Sequence, residues 1–468
     1  VAEQSQQPTD VLPMPMTGPG SMDYWKQELE ASKTYMRNLS DTRHWDQNLQ
    51  AYLGRGLSAT PMRDTVVVNK DFSLVEGKKA LLFFQTPDVA ATGAAPEFEQ
   101  AAPLVAQVVT DQLRKISAKT MVDEVLMDVL CPAGVGISVI GYEAFVDPNE
   151  PEQMIPDAVN PLQPQLGPDG SPVLMPKIVR EKYFWERTSP KRFRHPATFI
   201  SSDWDKSPWL AYDFDLPKVV AERLYDLTPE EVKNAASVPD PQKTPLVHRD
   251  SPFQTISDGK LVNGMKGNPI HPLTLRYASD MAIPPSDCSM SRQQVDELSK
   301  GRTQMVQQRD RAVPLVTYDV SRLPSEAVEK IKSGQVQEMI AVAGMDAANP
   351  AVMEVRRASW PRENFGFNDV INRDISEQWS MGANQMGVET DTRRTATEAS
   401  IMQSATDTRM DAERVKVLNW YAKGCEKVLA LLQMFADDQQ FAQVVGPNGM
   451  PTLLAWDKTA IAGDFSIT

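Results

Sequence analysis

Cysteine is scarce in this 468-residue chain: Cys131, Cys288 and Cys425 are the full set, widely separated and in no metal-like spacing. That excludes a disulfide framework and a cysteine-type zinc site, and it fits a reducing compartment. Histidine is nearly as rare. His44, His195, His248 and His271 stand apart from one another, so each is expected to be a surface or packing residue and not a ligand or base. No run of apolar residues approaches the ~20 needed for a membrane span. Residues 1–20 are polar and proline-rich, without the basic-then-apolar order of a leader peptide; we expect a cytosolic chain with no membrane partner. Basic residues are in deficit, 48 against 62 acidic ones for a net charge of −14. That is the wrong sign for a protein that grips phosphates over a wide area.

Catalytic signatures are equally incomplete. Gly77-Lys78 is followed by Lys79 and Gly259-Lys260 by Leu261, so no phosphate cradle ends in Gly-Lys-Ser/Thr. His248-Arg249-Asp250 matches a kinase catalytic-loop tripeptide, but Thr255 occupies the position of the required Asn and no Asp-Phe-Gly follows. Gly134-x-Gly136 is a fragment of a dinucleotide loop with Val139 where the next glycine belongs. We expect no catalytic residue, no metal site, no cofactor and no enzymatic activity.

What is present suffices for folded domains: 41% of the residues are hydrophobic, and the length allows roughly three domains. Apolar residues at helical steps predict helices over 24–57, 97–130, 291–311 and 367–385. Residues 137–145 and 177–187 read as strands, and the proline-rich excursion between them, with Gly-Pro-Asp-Gly at its middle, reads as a protrusion joining antiparallel neighbours. Thr228-Pro-Glu-Glu231 is a capping box that opens a short helix. Around a small helix at 325–332, residues 313–320 and 351–358 read as strands. The expected class is α+β, mostly helical.

Two clusters invite a chemical reading. Asp203-Trp-Asp205 and Asp213-Phe-Asp215 would set paired carboxylates on one face of an extended segment, where a divalent ion for phosphoryl transfer could sit. A solvated edge with Trp204 turned inward is the favoured alternative, because no His or third acidic cluster supports a site. Lys191-Arg192-Phe193-Arg194 offers a phosphate patch with an aromatic, against the favoured reading of a surface charge run.

The stretch from 367 to 437 carries the most information. Phe367, Val370, Ile371, Ile375 and Trp379 mark one helical face; a polar segment with two glycines follows; then Thr395-Ala-Thr-Glu398 opens a long helix with a capping box. The later stripe of that helix, from Leu418 to Phe435, is core-like, and Gly424 inside it costs roughly 1 kcal/mol relative to Ala, which predicts a bend or a close helix contact. Arg393 and Arg394 stand just ahead of the helix start, where they oppose the macrodipole.

In this order the elements resemble a tailed-bacteriophage portal protein, the head-to-tail connector, over nearly the whole chain. The residues that carry the likeness are Thr395 to Ile401 with the helix-loop-helix around them, the glycine turn Cys131-Pro-Ala-Gly134-Val-Gly136, and Ser189-Pro190-Lys-Arg-Phe193-Arg-His195-Pro196 followed by Asp203-Trp-Asp205. Residues 241–267 depart from the pattern. The resemblance implies a flexible arm at 1–23, a wing over 24–284 with its protrusion at 147–176, a first stem helix at 285–312, a clip at 313–365, a second stem helix at 366–385, a tunnel loop at 386–394, and a long kinked wing helix at 395–437. Wing strands at 438–468 would then lead to a crown that is short or absent.

The same likeness implies a homo-dodecameric ring at a unique capsid vertex of the virion, assembled in the host cytoplasm. Such a ring conducts double-stranded DNA during packaging and ejection, with weak, non-specific contact in the channel. Its partners would be the major capsid protein and scaffold, the terminase and a head-tail adaptor. Met386, Glu389, Thr390, Asp391, Arg393 and Arg394 would face the DNA, and Val295, Leu298, Met305, Phe367, Ile371, Ile375 and Trp379 would form the subunit interface. Two alternatives stand beside it: a metal-dependent phosphoryl-transfer enzyme using Asp203 and Asp205, and a non-ring helical scaffold or adaptor.

Overall fold

The computed structural model describes residues 22–55, 65–146, 153–154, 174–175, 178–213, 268–311, 315–333, 350–355, 363–381, 396–436, 440–445 and 451–468. Helices alternate with small antiparallel sheets, an α+β arrangement. The described residues fall into two compact units, one drawn from Val1–Leu49, Val75–Ser289 and Asp391–Thr468, the other from Gln50–Leu74 and Met290–Thr390. The second unit thus takes in a stretch that the sequence reading assigns to the wing.

Two expected helices are each divided at a residue other than glycine in left-handed backbone. The expected helix over 24–57 is two helices, Met22–Thr42 and Trp45–Tyr52, with His44 at φ 54 between them. Likewise the block over 97–130 divides into Ala102–Lys115 and Ala118–Leu130 at Ser117, φ 56. Neither break carries the glycine that normally announces such a turn. Arg43 fixes the first one from outside, donating to the Ile283 carbonyl at 2.7 Å.

Strand Gly136–Val146 is the centre of a three-stranded antiparallel sheet. Ile178–Thr188 pairs along one edge, from Ile137↔Thr188 to Val146↔Ile178, and Ile270–Leu273 pairs along the other. The antiparallel neighbours predicted around the proline-rich excursion are these first two strands, and within the excursion Gln153–Met154 pairs with Leu174–Met175. Gly134, at φ 84, shows why the preceding turn needs glycine: a Cβ there would lie 2.0 Å from the Pro284 carbonyl oxygen. The capping box at Thr228 lies outside the described residues.

The 40-residue helix Ala396–Phe435 packs onto this sheet. Its contact is set by Trp185, a fully buried indole whose centroid lies 5.5 Å from those of Trp420 and Tyr421. The Trp185 Nε1–H donates to Ser138 Oγ at 2.9 Å, and Ser138 Oγ donates to the His271 carbonyl at 3.0 Å. His271 stacks on Trp420 and donates from Nε2 to the Trp420 carbonyl at 2.8 Å. Its other nitrogen accepts from Lys427 Nζ at 3.1 Å, so the ring is neutral; burial and the Lys427 ammonium both hold its pKa well below the usual value. The close contact at Gly424 is with a strand, through Trp185, and not with the second helix that the sequence leads one to expect.

Glycine in a helix interior ordinarily costs stability that alanine restores. At Gly424 the opposite is expected, since an added Cβ would stand 2.2 Å from the Trp185 ring. Gly424→Ala should lower unfolding stability by about 1–3 kcal/mol through overpacking. Chemical denaturation would check it; a gain in stability would show that the indole yields.

Candidate functional site

The second unit contains the elements expected to carry assembly. Helix Asp287–Arg311, which belongs to this unit from Met290 onward, and helix Glu363–Gln378 run antiparallel. The direction follows from their contacts: Trp379 Nε1–H donates to Ser291 Oγ at 2.9 Å, at the start of one helix and the end of the other, while Asn368 reaches Met305 Sδ at 3.6 Å. Between them in sequence, Leu315–Tyr318 pairs antiparallel with Val352–Val355. Helix Ser325–Ser333 completes this module, its Ala327 and Val328 packing with Leu323, Ala351 and Val352.

Glu363–Gln378 stops seven residues before its expected end. Ser380 takes φ 54, its N–H bonds to the Glu377 carbonyl at 3.1 Å, and the Met381 N–H bonds to the Ser376 carbonyl at 3.0 Å. These two bonds make a Schellman cap with serine in the position where glycine is usual. Gly382, the visible stop signal, comes two residues too late.

The residues expected at the subunit interface differ in burial. Val295, Leu298, Ile371, Ile375 and Trp379 are buried within the single chain, Trp379 and Ile375 completely. The chain itself supplies nearly all of their cover. Met305 is partly buried, and Phe367 and Val370 remain about half exposed. The cause is helical geometry: a four-residue step overshoots a full turn by roughly 40°, so the row Phe367, Ile371, Ile375, Trp379 winds around the helix. Its end faces inward while Phe367 and Val370 face solvent.

An extended segment fastened to the first of these helices is absent from the sequence reading. Ser299 and Thr303, one turn apart, present hydroxyls to it: Val66 N–H donates to Thr303 Oγ1 at 3.0 Å and Val68 N–H to Ser299 Oγ at 3.3 Å. Beyond it, Asp71 is buried near Arg292 and Asp296. Burial raises its pKa to about 6, Arg292 opposes that rise and Asp296 adds to it.

The residues expected to face DNA, Met386, Glu389, Thr390, Asp391, Arg393 and Arg394, lie outside the described residues, as does Thr395 of the capping box. The long helix itself begins at Ala396.

The paired aspartates do not form the extended arrangement. Trp204–Lys206 is a 3-10 turn, which takes Asp205 off the face of Asp203. Each meets a lysine at 3.2 Å, Asp203 with Lys206 and Asp205 with Lys423. Trp204 is buried, as the alternative reading expects. Asp213 pairs with Arg194, and Asp215 lies outside the described residues. Among the described residues no three His, Cys, Asp or Glu side chains are grouped so as to hold a metal ion.

The basic run 191–194 is neither a phosphate patch nor a simple surface run. Phe193 and Arg194 are buried, Arg194 donates to the Lys191 and Phe193 carbonyls, and Lys191 pairs with Asp46. His195 is buried beside Trp204 and Tyr35, and burial lowers its pKa to about 4, against the Pro196 carbonyl that raises it. No helix among the described residues is long and apolar enough to cross a membrane. Compared with known proteins, the chain matches no family model and no curated sequence.

Asp71 generates a pH test. Its folded pKa, about 6, lies above the unfolded value, so its contribution is most favourable below about pH 4 and is lost as pH rises through 6. Asp71→Asn should therefore gain on the wild type by about 1–3 kcal/mol between pH 4 and pH 7. Denaturation of both proteins at the two pH values would show it. An equal difference at both would mean that the carboxylate titrates normally.

Proposed function

We propose that this chain is a portal protein of the tailed-phage type, forming a closed ring that conducts double-stranded DNA and docks a terminase and later a head-tail adaptor. The observation that carries the reading is the antiparallel pair Asp287–Arg311 and Glu363–Gln378 enclosing, in sequence, a small strand-helix-strand module, with a 40-residue helix next in the chain. That is the stem, clip, stem and wing order that the resemblance implies. Net charge supports it as well: at −14, the chain lacks the basic excess that would grip a duplex, as a conduit past which DNA slides requires.

Assembly must then rest on surfaces that the folded chain leaves open. Phe367 and Val370 are apolar and half exposed on one helix, and a ring of identical copies joins two different patches of each subunit head to tail. We assign Phe367 and Val370 to that interface in place of Ile371, Ile375 and Trp379. Arg393 and Arg394, at the end of the polar segment 386–394, supply the few salt-screened phosphate contacts that guide the duplex.

Two substitutions separate these roles. Phe367→Asp with Val370→Asp should leave a folded subunit and lower ring yield at least about tenfold, since two buried charges would replace apolar contact; unchanged ring yield in electron micrographs would refute the interface. Arg393→Ala with Arg394→Ala should keep the ring and impair DNA retention, with a defect that changes as salt is raised. Wild-type packaging and retention by that variant would remove the arginines from the channel.

A further inference from the structure

The long helix Ala396–Phe435 is held in two physically different ways along its length. From Val417 onward the hold is mainly apolar: Val417, Tyr421, Cys425, Val428, Leu429 and Leu432 are buried on one side, and Lys427 and Gln433 add hydrogen bonds to backbone carbonyls. Over 408–416 Met410 is the one buried apolar side chain, and Asp411, Ala412, Arg414, Val415 and Lys416 are exposed.

Polar contacts fasten this second stretch. Glu413 meets Lys78 Nζ at 2.7 Å and Arg276 at 3.6 Å. The same two cations meet Asp287, Lys78 at 3.1 Å and Arg276 directly, so two acids and two bases alternate around a square. Arg414 donates two hydrogen bonds to the Leu81 carbonyl, at 2.7 and 3.2 Å, and Lys416 donates one to the Leu275 carbonyl at 2.7 Å. All of these residues belong to the first unit.

We propose that 408–416 is a releasable arm of the long helix, clasped by Glu413 to Lys78 and Arg276, while 417–435 is its fixed root. The two holds respond differently to displacement. Ion pairs and charged hydrogen bonds are directional and are lost together once the helix moves, but water then solvates Glu413, Arg414 and Lys416 and offsets most of the loss. Exposing the apolar root has no such compensation. The square also tolerates the departure of one corner. Asp287 stays behind to neutralise Lys78, which is wholly buried, and Arg276 is about a quarter exposed and reaches water. A lone buried lysine would instead lock the arm in place. The inference uses contacts of the first unit alone and goes beyond the ring reading, which it does not need.

Hydrogen–deuterium exchange of the full chain, resolved along the helix, tests it. In the wild type the amides of 408–416 should exchange at least about tenfold faster than those of 420–432, as separate opening units. Glu413→Gln should speed 408–416 by a further factor of about ten and leave 420–432 unchanged. Arg414→Ala, at a half-exposed position, should act in the same direction by a smaller factor and carries the test if the first variant does not fold. One common rate along the wild-type helix would overturn the proposal. So would equal acceleration of both stretches, or no acceleration of 408–416, in the variants.

Discussion

The packing of Trp185 into the groove above Gly424 is the contact on which the larger unit depends. One indole brings together the central strand through Ser138, the edge strand through the His271 carbonyl, and the long helix through Trp420 and Tyr421. Three polar groups here are satisfied: the indole N–H has its hydroxyl, the hydroxyl has its carbonyl, and the imidazole is held between a carbonyl and an ammonium. Unsatisfied, any of these buried groups would cost more than a surface hydrogen bond returns. The residue sizes are therefore coupled. A large side chain on the strand requires none on the helix, which explains why a helix with a continuous apolar stripe carries glycine at its centre.

Much of the element order is legible in the sequence, because it depends on periodicity. The strands at 137–145 and 177–187, the small helix at 325–332 between two strands, and the long final helix all carry regular apolar spacing, and the structure has elements there. Helix breaks were not legible where His44, Ser117 and Ser380 took the left-handed backbone, since nothing in those residue types announces it. Helix Lys70–Leu82 was missed for another reason. Its buried face runs Leu74, Val75, Lys78, Leu82, and a lysine in the third position hides the stripe. That lysine is inside because Asp287 and Glu413, distant in sequence, neutralise it.

The candidate site shows the same division. Ile371, Ile375 and Trp379 were correctly recognised as residues that must be covered, but amphipathicity states only that a face is buried and not which molecule buries it. Here the same chain covers them, while Phe367 and Val370 on the same helix stay half exposed. The aspartates at 203 and 205 looked paired because an extended strand was assumed; a tight turn and two lysines give each a separate environment.

Under the proposed reading, an acidic chain with an antiparallel helix pair bracketing a small module and apolar positions left open is one segment of a ring whose wall DNA must pass without being held. Mass measurement of the purified wild-type chain under native conditions tests that claim most directly. The account predicts one dominant closed species of about twelve copies of the 52.0 kDa chain, seen as rings with a central channel in electron micrographs. A well-folded monomer or dimer at micromolar concentration, with Phe367 and Val370 still open to solvent, would contradict it.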